Sequence, residues 1–212
     1  MSLLEKANVV AVLRNIDQHF LECVEVMVES GIHVLEITMD NIDGLHWITA
    51  TKEHFGDAVC VGAGTVLQVE QVDQCKKAGA EFIVSPHFDE GIVERTKQEG
   101  LVSIPGAFTP TEIMRALRAK ADFVKVFPAT TLGLPFFNNL VGPYKELPLI
   151  ATGGITHQNA SDYLKSGIRA VGIGSWIMLQ PNENMGDYRK RIAAFGQKMK
   201  GVNNDADSIH SH

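Results

Sequence analysis

Two short runs decide the fold: Val34-Leu35-Glu36-Ile37-Thr38 and Phe123-Val124-Lys125-Val126-Phe127. Both are rich in Val and Ile and nearly continuous in apolar residues. That pattern marks a parallel strand covered on both faces, because a half-wet strand alternates apolar with polar. Six further runs of the same kind lie around them, at Val9–Leu13, 58–62, 82–86, 101–105, 148–152 and Ala170–Ile173. Amphipathic stretches separate the runs and predict helices over 17–30, Gly44–Phe55, Val69–Ala78, 90–99, 135–141, 157–166 and 185–200. Gly31, Gly79, Gly100 and Gly167 stop four of these helices. Thr109-Pro110-Thr111-Glu112 opens one more, with a cap followed by proline in the first turn. Eight strand–helix units with no linker between them predict an α/β chain folded as one (β/α)8 TIM barrel over residues 1–202. An open doubly wound sheet is the structural alternative, but it normally uses fewer strands.

The chain has 212 residues, near the lower end for such a barrel, so its loops must be short. Its 19 Lys and Arg stand against 25 Asp and Glu, a net charge of −6, which argues against a nucleic-acid partner. Every apolar run is interrupted by Asp, Glu, Lys, Arg, Asn or His, so no membrane span is expected. Residues 1–6 lack the apolar core of a signal peptide. Cys23, Cys60 and Cys75 are odd in number and carry no metal-ligand spacing, which reads as reduced thiols in a cytoplasmic protein with no metal or other cofactor. Residues 203–212 read as a solvated polar tail, although their Ser-Ile-His-Ser-His ending could hold a metal weakly.

Barrel active sites form where strands end and loops begin. Two ionisable residues stand inside strands: Glu36 in the second run and Lys125 in the sixth. Each is the third residue of an even-numbered run, and alternate strands supply the same layer of a barrel interior. The two side chains can therefore meet inside. The plain alternatives are a buried ion pair with no chemistry, or an outward lysine whose amine reaches solvent. The functional reading is Schiff-base catalysis. A lysine held away from water favours its neutral amine, which attacks a ketone, while a nearby carboxylate moves protons.

Glycine-rich turns follow the seventh and eighth runs: Thr152-Gly153-Gly154-Ile155 and Gly172-Ile173-Gly174-Ser175-Trp176. Loops at those two places often bind phosphate through backbone N–H groups. Gly153, Gly154, Gly174 and Ser175 are the candidates, and ordinary turns are the alternative. Gly62-Ala63-Gly64-Thr65 reads as a turn after the third run, offering backbone donors and a hydroxyl. Arg14, at the end of the first run, suits a substrate carboxylate or phosphate, or else a surface salt bridge. Pro86 and Pro105 shape the wall, and His87 reads as a rim histidine rather than a proton carrier.

Taken in order and spacing, the strings around Glu36, Gly62–Thr65, Ser85-Pro86-His87, Lys125-Val126-Phe127-Pro128, Thr152–Ile155 and Gly172–Trp176 resemble the 2-keto-3-deoxy-6-phosphogluconate (KDPG) and 4-hydroxy-2-oxoglutarate (KHG) aldolases over about residues 8–200. The resemblance implies a metal-independent class I aldolase, usually a homotrimer, that cleaves a 2-keto-3-deoxy-6-phospho sugar acid to pyruvate and glyceraldehyde 3-phosphate. It places Lys125 on the Schiff-base lysine and Glu36 on the general acid/base. It places Thr65 and Gly64 on the pyruvyl carboxylate site, with Arg14 available there. Gly153, Gly154, Gly174 and Ser175 fall on the phosphate site, and Phe127, Pro128 and Pro86 on the pocket wall. One position departs: Asp40 stands where many members carry an arginine that holds the carboxylate. Thr130-Thr131-Leu132-Gly133 also lacks the acidic residue often found there. The alternatives are a 4-hydroxy-2-oxoglutarate aldolase releasing pyruvate and glyoxylate, or a non-catalytic phospho-sugar-binding barrel.

Overall fold

The computed structural model describes residues 3–141 and 147–209. Nine parallel strands make one sheet: β1 (Val9–Leu13), β2 (Val34–Thr38), β3 (Cys60–Gly64), β4 (Phe82–Val84), β5 (Val102–Ile104), β6 (Gly106–Ala107), β7 (Val124–Val126), β8 (Leu149–Thr152) and β9 (Ala170–Ile173). The strand order is β5-β4-β3-β2-β1-β9-β8-β7-β6. β5 and β6 stand at opposite ends of that order yet are separated in the chain by Pro105 alone. They are one run bent at a residue with no N–H to give, so the sheet closes into a barrel. The Pro105 carbonyl still serves the ladder, accepting from Lys125 N at 2.9 Å.

Side chains alternate across each strand and divide the interior into two cores. Val10, Val34, Phe82, Val84, Ile104, Phe123 and Ile150 point inside the barrel, where Leu4 of α1 (Leu3–Lys6) joins them. Val9, Ala11, Leu13, Leu35, Ile37, Val124 and Val126 face outward against the helices. Those helices are α2 (Phe20–Glu29), α3 (Gly44–Phe55), α4 (Val69–Ala78), α5 (Glu90–Gln98), α6 (Pro110–Arg118), α7 (Ala129–Leu132), α8 (Leu134–Val141), α9 (Ala160–Lys165) and α10 (Met185–Ile209). The cap expected before α6 is a full capping box. Glu112 N donates to Thr109 Oγ1 at 3.3 Å, and Thr109 N donates to Glu112 Oε2 at 2.8 Å.

Several expected boundaries are corrected. The third run is not 58–62: Gly56–Ala58 is a 3-10 turn and the strand is Cys60–Gly64. Glycine is a poor strand former, so Gly62 and Gly64 read as the end of the run. Pairing with Glu36 and Thr38 of β2 holds them in the sheet all the same. The fifth run, expected over 101–105, is β5 alone, and the chain continues past Pro105 into β6, which was not expected. The helices expected over 17–30 and 157–166 shrink to α2 and α9, because the loops before them curl over the barrel mouth. At the other end α10 continues into the segment expected as a polar tail, and residues 210–212 of that tail lie outside the described residues.

Closure at Pro105 depends on backbone approaching backbone. A Cβ added to Gly106 would lie 2.3 Å from the carbonyl carbon and oxygen of Pro86. Gly106→Ala is expected to lower unfolding stability by about 1–3 kcal/mol, the usual cost of overpacking. A urea titration showing an unchanged midpoint would mean that the closure point yields freely.

Candidate active site

Glu36 comes from the middle of β2 and Lys125 from the middle of β7, which face each other across the barrel. Both point inward, in the layer above Val34 and Phe123. Lys125 Nζ donates to Glu36 Oε1 at 3.1 Å, and the two residues are 7% and 2% exposed. The meeting expected from strand position therefore occurs. The amine also lies 5.7 Å from the centre of the Phe127 ring. Glu36 has room because β3 carries no side chain beside it. A Cβ on Gly64 would fall 2.1 Å from Glu36 Oε1. Gly64 does not line the cavity; its place in the site is to leave space for the carboxylate.

Above the pair opens a cavity of about 810 Å³, at the C-terminal ends of the strands. Arg14, Thr65, Pro86, Lys125, Phe127, Gly153, Gly154, Gly174 and Ser175 all line it. Sequence position thus brought together nine of the twelve candidates on one wall. Glu36 lies beneath that wall, and Pro128 lies behind it, with its Cα 3.0 Å from where a Cβ on Gly153 would be. His87 is exposed and does not line the cavity.

Asp40 resolves the charge reversal noted in the sequence. Its carboxylate takes Arg14 Nη1 at 3.3 Å, while Arg14 Nη2 donates to Thr65 Oγ1 at 3.2 Å. The arginine is thereby held at the mouth, against the hydroxyl that shares its wall. Thr65 (φ +56°) and Asn15 (φ +56°) both occupy the left-handed region. A β-branched residue there is strained by about 1–3 kcal/mol, and such strain gathers at functional sites.

In the two glycine turns the backbone carbonyls are tied by side chains. Gly153 O accepts from Thr130 Oγ1 at 3.2 Å, and Gly154 O accepts from Asn159 Nδ2 at 3.1 Å. Ser175 O accepts from Gln180 Nε2 at 2.7 Å. Thr130, which stands in the segment lacking an acidic residue, packs so closely that a Cβ on Gly154 would meet its Oγ1 at 2.1 Å. Gly174 has only Val12 O, 4.0 Å away, near its absent Cβ, so a side chain there would project into open space.

Sequence reasoning missed the lining residues Asn15, Asp17, Phe20, Cys23, Thr156, Met178 and Leu179. They sit on loops or on the first turn of α2, and no strand-end rule points to them. Cys23 is not a rival nucleophile, since burial pushes its thiol up to about 11. Burial likewise raises Cys60 and Cys75 to about 12. Among the described residues no cluster of three or more His, Cys, Asp or Glu could hold a metal ion, and no helix is long and apolar enough to cross a membrane.

A family model described as "Aldolase: KDPG and KHG aldolase" matches residues 1–194. A protein of Rhizobium meliloti (strain 1021) named probable 2-dehydro-3-deoxy-6-phosphogalactonate aldolase is 32% identical over 187 residues, covering 87% of this chain and 88% of its own. A 2-dehydro-3-deoxy-phosphogluconate aldolase of Treponema pallidum (strain Nichols) is 35% identical over 178 residues, covering 83% and 84%. A solved native KDPGal structure superposes with TM-score 0.87 at 28% identity, over 96% of this chain and 100% of that one. A KDPG aldolase from Legionella pneumophila, with pyruvate captured at low pH as a covalent carbinolamine intermediate, gives TM-score 0.79 at 26% identity over 94% and 96%.

The vacancy beside Glu36 is testable. Gly64→Ala should displace the carboxylate from Lys125 and lower kcat by at least about tenfold, as loss of a positioned proton carrier does. Steady-state rates would be read beside a circular dichroism spectrum that stays native. An unchanged kcat would show that Glu36 has room to spare.

Proposed function

The chain belongs to the KDPG and KHG aldolase family, and from that premise we propose that it cleaves a 2-keto-3-deoxy-6-phospho sugar acid to pyruvate and glyceraldehyde 3-phosphate. It is a lyase with a small-molecule substrate. The observation that carries the reading is the buried Lys125–Glu36 contact at 3.1 Å, opening into a cavity lined by both glycine turns. The carbinolamine in the Legionella pneumophila relative supports a Schiff-base route.

In this reading the Lys125 amine adds to the C2 ketone. Glu36 gives a proton to the departing water, leaving an iminium. Glu36 then takes the proton of the C4 hydroxyl. The C3–C4 bond breaks, its electrons flow into the iminium as an enamine, and the aldehyde leaves. Reprotonation at C3 and hydrolysis of the imine release pyruvate and free Lys125. Arg14 and Thr65 take the carboxylate of the pyruvyl half. The turns at Gly153-Gly154 and Gly174-Ser175 take the phosphate through N–H groups and the Ser175 hydroxyl. For assembly we propose the homotrimer that the family resemblance implies. Exposed Ile42, Leu45, Leu67 and Val69 near the barrel mouth offer a second copy an apolar surface. A reducing, cytoplasmic setting suits three free buried thiols.

Borohydride in the presence of pyruvate should label a peptide containing Lys125, and Lys125→Arg should abolish both labelling and turnover, because a guanidinium stays protonated. Glu36→Gln should keep labelling but lower turnover by about two to four orders of magnitude. Labelling that survives in Lys125→Arg would sink the assignment of the nucleophile.

The phosphate reading has its own test. The wild type should show a higher kcat/KM for the phosphorylated substrate than for its unphosphorylated analogue. Gly174→Val, whose side chain projects into the cavity, should erase that preference and leave pyruvate labelling intact. A wild type with no preference would reduce the two glycine turns to turns, and 4-hydroxy-2-oxoglutarate would become the substrate to assay.

A further inference from the structure

The loop after β9 carries Gly174 and Ser175 on the cavity wall, and four successive carbonyls of that loop are met by side chains. Ser175 O accepts from Gln180 Nε2 at 2.7 Å. Trp176 O accepts from Arg191 Nη1 at 2.5 Å. Ile177 O accepts from the Tyr188 hydroxyl at 3.1 Å. Met178 O accepts from Gln180 Nε2 at 2.7 Å and from Arg191 Nη2 at 2.9 Å. Two of the four carbonyls thus accept from one guanidinium, which comes from α10 and does not line the cavity.

Arg191 is itself locked in place. Its Nε and Nη2 each donate at 2.7 Å to the Glu183 carboxylate, a two-pronged pair that holds Glu183 below the usual carboxylate range. The guanidinium lies 4.8 Å from the Trp176 ring centre and 5.2 Å from that of Tyr188. Trp176 in turn stacks on His157 at 4.6 Å. His157 belongs to the loop after β8, so the two glycine turns are joined through one indole.

We propose that Arg191 is a positioning residue for the distal anion of the substrate, acting from behind the loop without touching the ligand. The proposal rests on the phosphate reading of the two turns. A planar trans peptide points its N–H away from its C=O. Holding the Trp176 carbonyl therefore fixes the Ile177 N–H, which donates to Gly174 O at 2.9 Å. With the Gly174 carbonyl tied inward in this way, the Ser175 N–H of the same peptide is set, and the Gln180 bond to Ser175 O does the same for the Trp176 N–H. A backbone cradle gains affinity only where its donors are set before the anion arrives. Without the guanidinium, Trp176 O loses its side-chain donor, Met178 O keeps only Gln180, the indole loses its neighbour, and the loop samples orientations that turn oxygen lone pairs toward the anion. Lysine cannot substitute, because an ammonium is a point charge and cannot bridge Glu183 and two carbonyls in one plane.

The experiment compares wild type, Arg191→Met, Arg191→Lys and Glu183→Gln on 2-keto-3-deoxy-6-phosphogluconate and on its unphosphorylated analogue, with borohydride trapping of pyruvate as a third readout. Arg191→Met should raise KM for the phosphorylated substrate by about 10–100-fold, the loss expected from one or two charge-assisted hydrogen bonds. Its kcat should stay within about threefold, and the unphosphorylated substrate and pyruvate trapping should change by less than about twofold, because the Lys125–Glu36 pair is untouched. Arg191→Lys should resemble Arg191→Met. Glu183→Gln keeps the guanidinium and should give a smaller shift in the same direction. If Arg191→Met fails to fold, Arg191→Lys and Glu183→Gln decide the matter by the same split. Equal losses on both substrates, or an unshifted KM for the phosphorylated one, would overturn the positioning role while the wild-type preference for phosphate stands. A wild type without that preference would instead overturn the phosphate reading, and the role of Arg191 with it.

Discussion

Two opposite charges are held inside a barrel that offers them almost no water. Moving a carboxylate and an ammonium out of water costs several kcal/mol per ion, and well-packed apolar residues in their place are often neutral or stabilising. Stability therefore does not explain Lys125 and Glu36. Much of the surrounding structure is arranged to admit them. Strands β2 and β7 must stand opposite, which requires the sheet to close through the bend at Pro105. The neighbouring strand must omit a side chain at Gly64. Val34 and Phe123 must fill the layer below so that solvent does not enter from beneath. The result is an amine and a carboxylate in contact, the amine facing the cavity and the carboxylate just beneath it, which is what imine chemistry requires.

In the proposed reading, anion recognition above the pair follows another logic. The chain is net acidic, and its arginine at the mouth already has Asp40 as a partner. The distal end of the cavity has glycine turns instead of cations. For a turn to attract an anion, its carbonyls must be engaged elsewhere. Thr130, Asn159 and Arg191 engage them from outside the cavity wall, and Gln180 does so from its rim. The Arg191 guanidinium lies behind the loop, bonded to its backbone and not exposed on the cavity wall.

Much of this was legible in the sequence. Nearly continuous apolar runs mark buried parallel strands, and a run that buries both faces tolerates a charge only for a reason, so Glu36 and Lys125 stood out. The glycine turns stood out because the end of a barrel strand is a fixed place. The errors have a common cause. Gly62 and Gly64 read as a turn because intrinsic preference says so, but pairing with β2 overrides it. Pro105 read as the end of a strand, although it is the bend at which one run changes partner. Asn15, Asp17 and Met178 left no trace, because loop residues reach the cavity through curvature and not through periodicity.

The sequence by itself determined the strand–helix alternation, the closed barrel class and the two buried ionisable residues, since these follow from local pattern and the cost of burying charge. Only the tertiary structure decided what each neighbour is for. Gly64 is a vacancy for a carboxylate, Asp40 is the partner of Arg14, and Arg191 braces a loop fifteen residues before it in the chain, as the bond to Trp176 shows. These relations join residues on different elements at distances of a few ångströms. Such distances are set by barrel closure and loop curvature, which no single stretch of chain encodes.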